Sequence, residues 1–155
     1  MTLEVRRVVT GHDKNGKARV VIDELSDNVI SRRAGQYSTV IWATDQTPAD
    51  LTSINDISAD VEATTVPNGT VFRISRFEPG VAPRNHRTAS LDYAIVMSGA
   101  IDMELDDGEI VHLKAGDVLV QRGTVHNWTN PGTEPCMIAF ILMAAPLPEE
   151  LNAEG

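Results

Sequence analysis

Two stretches decide how this 155-residue chain folds: GVAPRNHRTASLDYAIVMSG, from Gly80 to Gly99, and GDVLVQRGTVHNWTN, from Gly116 to Asn130. In each, an imidazole sits among apolar, β-branched runs that glycines cut short. Outward from them the same rhythm continues. Val71 to Phe77, Tyr93 to Met97, Ile101 to Leu105, Ile110 to Leu113, Val118 to Gln121 and Met137 to Met143 read as strands. Turn residues separate them, and no comparable stretch repeats with the 3.6-residue period of a helix, so the pattern predicts an all-β domain. Asp106-Asp107-Gly108-Glu109 predicts a tight hairpin, because Asp-Gly accepts the positive φ angles that such a turn requires.

Residues 1–69 are less regular. They read as an N-terminal extension of the same domain, with strands at the sheet edges over Arg19 to Ile22 and Tyr37 to Ala43 and a loop with one helical turn over Thr47 to Glu62. Residues 70–145 form the barrel core of this reading, and residues 146–155 a tail expected to fray. Lys and Arg number 13 against 22 Asp and Glu, a net charge of −9. That balance repels phosphate backbones and anionic lipid, so the expectation is no nucleic-acid partner and no membrane partner. The single cysteine, Cys136, excludes an intrachain disulfide and reads as a small buried hydrophobe, which suits a reducing compartment. The longest apolar run, Cys136 to Ala145, is too short for a membrane helix, and the expectation is a cytoplasmic protein.

Taken together the two stretches resemble the motifs of the cupin superfamily. The first motif of that family spaces a glycine, five residues, a histidine, one residue, a histidine, three or four residues, a glutamate, six residues and a glycine. Gly80, His86 and Gly99 match it, while Thr88 stands in place of the second histidine and Asp92 in place of the glutamate. Gly116, Gly123, His126 and Asn130 match the second motif, with Arg122 where proline opens it. The resemblance covers about half the chain and implies a double-stranded β-helix, or jelly-roll barrel, commonly a homodimer. It also implies a divalent metal in the barrel, such as Fe, Zn, Mn or Ni, held by the motif side chains. Homodimerisation would further cover the exposed strand edges of a small barrel.

His86, Asp92 and His126 survive as candidate metal ligands, and two imidazoles with one carboxylate suit non-haem Fe(II). The alternative is a metal-free pocket in which the histidines hydrogen-bond each other, water or ligand while Asp92 pairs with an arginine. Arginine outnumbers lysine ten to three, and Arg73, Arg76, Arg84, Arg87 and Arg122 cluster in or beside the motifs. A guanidinium fork matches a carboxylate, so Arg76 and Arg122, with Thr88 and Trp128, are candidate ligand-binding residues for a small molecule such as a carboxylate. Trp128 either stacks a planar ligand or fills the barrel. Three functions follow. The first is lyase or isomerase chemistry by proton transfer next to a carbonyl, such as dehydration or decarboxylation, with His126 as the catalytic acid/base and His86, with Asp92, orienting it or holding metal. The second is an Fe(II) dioxygenase, and the third a ligand-binding cupin without chemistry.

Overall fold

The computed structural model describes residues 3–152. Within them run eleven strands: β1 Val5–His12, β2 Ala18–Ser26, β3 Val29–Arg33, β4 Gln36–Thr44, β5 Thr70–Phe77, β6 Ser90–Ser98, β7 Ala100–Glu104, β8 Ile110–Lys114, β9 Val118–Arg122, β10 Asn127–Thr129 and β11 Cys136–Ala144. Helix is confined to short turns at Ser58–Asp60 and Asp106–Gly108 and to α1, Glu149–Asn152. No helix among the described residues is long and apolar enough to cross a membrane. The strands form a six-stranded sheet in the order β3-β4-β5-β11-β6-β9, a three-stranded sheet β10-β7-β8, and a separate β1-β2 hairpin. Every pairing is antiparallel.

The two larger sheets close on one core. Phe77, Ala94, Val96 and Ile138 from the larger sheet meet Ile101, Met103, Leu113 and Trp128 from the smaller. This is the all-β double-stranded β-helix that the motifs imply. The hairpin at Asp107 and Gly108 joins β7 to β8 with both residues at positive φ, 56° and 76°. Its loop closes through the Leu105 N–H, which donates to the Glu109 carbonyl at 2.8 Å.

Residues 3–69 are more regular than their sequence suggests. Tyr37 to Ala43 lies within β4, which is not an edge strand: β3 pairs with its outer side and β5 with its inner side. Three strands escaped the sequence reading for physical reasons. Charged residues interrupt β1, three polar residues close β3, and β10 is only three residues long. The β1-β2 hairpin packs over the outer face of the larger sheet, where Val5 meets Ile41, Ile74 and Ala139. Arg7 fastens it. The buried guanidinium donates to Glu24 and Asp56 at 2.6 Å each, to the Ile41 carbonyl at 3.1 Å and to Ser58 Oγ at 3.2 Å. The expected fraying of the tail falls partly on residues 153–155, outside the described residues; before them α1 is tied back by Arg87, whose Nη1 donates to the Leu151 carbonyl at 3.3 Å.

Strand alternation sorts the side chains that matter for function. On β5, Arg73, Ser75 and Phe77 face inward while Phe72, Ile74 and Arg76 face outward. On β6, Asp92 faces inward opposite Gln121 of β9, which turns Arg122, opposite Leu91, to the outside.

Candidate active site

Both motifs deliver their histidines to one place. His86 lies in the loop after β5 and His126 just before β10. An isolated antiparallel bridge joins them, with the His86 N–H donating to the His126 carbonyl at 3.0 Å and the reverse bond at 2.9 Å. Side chains of the second motif hold the first-motif loop in this register. Asn127 Oδ1 accepts from the Arg84 N–H at 2.8 Å, and Asn130 Nδ2 donates to the Phe77 and Glu134 carbonyls at 3.0 and 2.9 Å. The Asn130 carbonyl also accepts from the Gly80 N–H at 2.9 Å. These backbone ties set the imidazole centroids 4.5 Å apart.

Each ring is oriented through Nδ1, His86 against the Arg84 carbonyl at 3.0 Å and His126 against the Thr124 carbonyl at 2.8 Å. A carbonyl only accepts, so Nδ1 carries the proton in both rings and Nε2 keeps its lone pair. Burial holds both imidazoles neutral: it pushes His86 down to about 4, with His126, Arg84 and Arg33 adding to the effect, and it lowers His126, helped by Arg33 and Arg84.

The histidines line a cavity of about 70 Å³ between the sheets. Thr88, Asp92 and Trp128 line it too, so five of the seven candidate site residues come together. Trp128 is also core: it packs against Phe77 and Phe140 at 6.1 and 5.8 Å and sits edge-on to His126 at 5.9 Å. Asp92 is buried and accepts from Ser90 Oγ at 2.5 Å. Burial raises its carboxyl above the usual carboxylate range against the opposing pull of Ser90 and Arg73.

Arg76 and Arg122 do not reach this cavity. Outward-facing Arg76 pairs with Glu78 at 2.6 Å, and Arg122 is exposed beside a separate surface groove. The inward guanidinium of β5 belongs to Arg73 instead. Arg73 is buried, donates to the Ala63 carbonyl at 3.1 Å, and is lowered to about 10, by burial first and then by Arg32. Arg84 lines the cavity as well, and Arg32 and Arg33 of β3 complete the positive rim. The sequence reading missed that last pair. The signal was two adjacent arginines before a turn in an acidic chain. What brings them over the cavity is the β3-β4 turn, whose Ala34 and Gly35 carbonyls accept from the Ala82 and Glu78 N–H groups at 3.0 and 2.8 Å.

His112 and Cys136 lie elsewhere. His112 is exposed and bonds Asp102 at 2.7 Å, while Cys136 is a fully buried thiol that burial pushes up to about 11.

The donors that are present do not fit a three-ligand metal centre. His86 and His126 offer two imidazoles, but among the described residues no three His, Cys, Asp or Glu side chains gather closely enough to hold an ion. The His86, Asp92 and His126 donor set is thus not assembled: Ser90 engages the Asp92 carboxyl, Thr88 replaces an imidazole, and guanidinium groups supply the rest of the charge at the cavity. Repulsion from those groups disfavours a dication and favours an anion.

Comparison with known proteins agrees with the fold and motifs. A family model described as "Cupin domain" matches residues 73–142. The chain is 37% identical over 148 residues to the cupin-domain-containing oxidoreductase fogC of Aspergillus ruber, covering 90% of this chain and 72% of that protein. It is 39% identical over 133 residues to the phomopsin biosynthesis cluster protein C' of Diaporthe leptostromiformis, covering 80% and 69%. A crystal structure of an uncharacterized conserved protein with a double-stranded β-helix domain from Klebsiella pneumoniae aligns over 76% of this chain and 84% of that one, with a TM-score of 0.52 and 20% identity. The chain belongs to the cupin family.

Proposed function

We propose that the cavity is the active site of a small-molecule enzyme that transfers a proton next to a carbonyl. One observation carries this reading: two neutral imidazoles, each locked through Nδ1 to a backbone carbonyl, present unprotonated Nε2 atoms beside a cluster of guanidinium groups. His126 Nε2 takes the proton from the carbon next to the substrate carbonyl, and the electrons of the broken C–H bond pass to the carbonyl oxygen. A guanidinium stabilises the resulting enolate. The protonated His126 then returns that proton at a second atom, which gives isomerisation, or delivers it to a leaving hydroxyl, which gives dehydration, and its Nε2 is left unprotonated for the next cycle. Burial and Arg33 make His126 a weak base at rest. A bound anionic substrate offsets those positive neighbours and raises its basicity when it is needed.

The test follows deuterium uptake from D2O into a panel of small ketones, aldehydes and oxo acids by NMR. Wild-type protein accelerates exchange at one carbon in at least one compound, and His126→Ala lowers that rate by roughly 10²–10⁴-fold while the protein stays folded. Equal exchange by wild type and His126→Ala refutes the assignment, as does the absence of protein-dependent exchange across the panel.

A second reading draws on the relatives, several of which bear the name cupin-domain-containing oxidoreductase. It is separated from the first by oxygen uptake and metal content: stoichiometric iron with Fe(II)-dependent oxygen consumption favours the redox reading, and exchange that is indifferent to chelator favours proton transfer. Self-association belongs with either reading. Phe72, Ile141, Tyr93 and Val120 sit in register across four strands of the outer sheet face, and Phe72, Tyr93 and Val120 are exposed there. A dimer at micromolar concentration in sedimentation, lost with Tyr93→Asp, is the expected result.

A further inference from the structure

Among the described residues four guanidinium groups, Arg32, Arg33, Arg73 and Arg84, line the cavity against the single carboxyl of Asp92. In a chain of net charge −9 this concentration of positive charge is a local feature of the site. Two of the groups have buried N–H donors with nothing to bond: Nε and Nη2 of Arg33, and Nε of Arg73. Arg73 is itself more than nine-tenths buried, with 6% of its surface exposed. Buried donors are almost always satisfied in folded proteins, so unfilled ones at a cavity mark where an acceptor belongs.

The particular pair left open on Arg33 narrows the acceptor. Nε and Nη2 form one edge of the guanidinium plane, and elsewhere in this molecule the same edge of Arg6 grips both carboxylate oxygens of Asp23, at 2.8 Å each. The Phe77 ring, 5.7 Å from the Arg33 guanidinium carbon, accounts for the face of the group but leaves the edge unused. Trp128, Phe140 and Leu142 supply apolar cavity wall.

We infer that the cavity, which opens to solvent on one side, takes an organic carboxylate with a flat apolar body: its two oxygens are held inside by Arg33 and Arg73, its near part packs against Phe140 and Trp128, and the remainder extends through the opening because the enclosed 70 Å³ does not hold all of it. This rests on the reading of the cavity as a substrate site and names the substrate class. Arg33 lies outside residues 73–142, so this part of the specificity comes from the N-terminal extension of the chain.

Calorimetry with benzoate and benzamide, which share size and shape but differ in charge, tests the inference on the intact protein. Benzoate binds at least tenfold more tightly than benzamide. Arg33→Gln and Arg73→Gln each weaken benzoate about ten- to a hundredfold, as expected for loss of charge-assisted hydrogen bonds, and leave benzamide unchanged. Arg73 is deeply buried and its variant can fail to fold, so the wild-type comparison of the two ligands stands as a test in its own right. Benzamide binding as well as benzoate, no benzoate binding at millimolar concentration, or a folded Arg33→Gln protein with wild-type benzoate affinity overturns the inference. Failure of the proton-transfer reading looks different: His126→Ala then keeps both its deuterium exchange and its benzoate preference. Exchange that depends on His126 without any preference for benzoate sinks the carboxylate assignment alone.

Discussion

Replacing His86 by glutamine should flatten the acid side of the stability profile. The His86 imidazole is half-buried, and burial, together with His126, Arg84 and Arg33, takes it from 6.5 down to about 4. At pH 7 the ring is neutral in both the folded and the unfolded chain, and the shift contributes nothing. Below 6.5 the unfolded chain takes up a proton that the folded chain refuses, so stability is lost as the pH falls from about 6.5 to about 4, with no further loss from this group below that. The full shift sets a ceiling of roughly 3.4 kcal/mol. Because the ring is partly exposed, solvent screening reduces this to about 1–2 kcal/mol. For a domain of this size that is roughly 2–8 °C in Tm. The assay is thermal unfolding of wild type and His86→Gln at pH 7, 5.5 and 4, in which the wild type loses that much more than the variant. Parallel profiles, or an NMR titration of the His86 ring with a midpoint near 6.5, would refute the claim that this imidazole is held neutral by its surroundings.

The remaining predictions concern how the site is built. Gly99→Ala places a Cβ 2.3 Å from the Pro135 carbonyl oxygen at a φ of +75°, so it should cost at least about 1–3 kcal/mol in urea unfolding. Ile138→Ala empties a fully buried position between the two sheets and should cost about 2–5 kcal/mol by the same measurement. Arg7→Ala leaves Asp56 without its main partner. Asp56 resists ionisation through burial, yet hydrogen bonds from Arg7 and Ser58 bring it to about 2. Glu24 and Asp56 are partly exposed, which discounts the loss to about 2–4 kcal/mol, read by denaturation and by earlier proteolysis of the β1-β2 hairpin. Arg76→Ala and Arg122→Ala, whose side chains lie outside the cavity, should leave benzoate affinity within twofold of wild type by calorimetry; a tenfold loss would mean that the inward and outward faces of β5 and β9 are assigned the wrong way round.

Local chemistry made much of this molecule legible in advance. The strands from Thr70 onward other than β10, the Asp107-Gly108 hairpin and the family follow from β-branched runs, positive-φ turn residues and glycine-histidine spacing, all of which act over a few neighbouring residues. The pairing of His86 with His126 was implied by the two motifs, but the bridge that locks it, with Asn127 and Asn130 as its fastenings, is a contact between distant segments. Which arginines serve the cavity was only partly legible: Arg73 and Arg84 are among the five named beside the motifs, but nothing local separates them from the outward-facing ones. Facing depends on pleat parity, and the register shift between Val40 and Trp42 shows how one extra residue resets it. Arg76 and Arg122, the leading candidates of the five, lie outside. Arg73 lies inside by parity, and Arg32 and Arg33 arrive from a strand that sequence proximity could not connect to the site. By itself, then, the order of residues determined the β architecture and the two imidazoles, because turn preference and strand alternation are local. Only the folded chain decided the charge around them, because sheet pairing brings an N-terminal strand over the mouth of a barrel built from later ones.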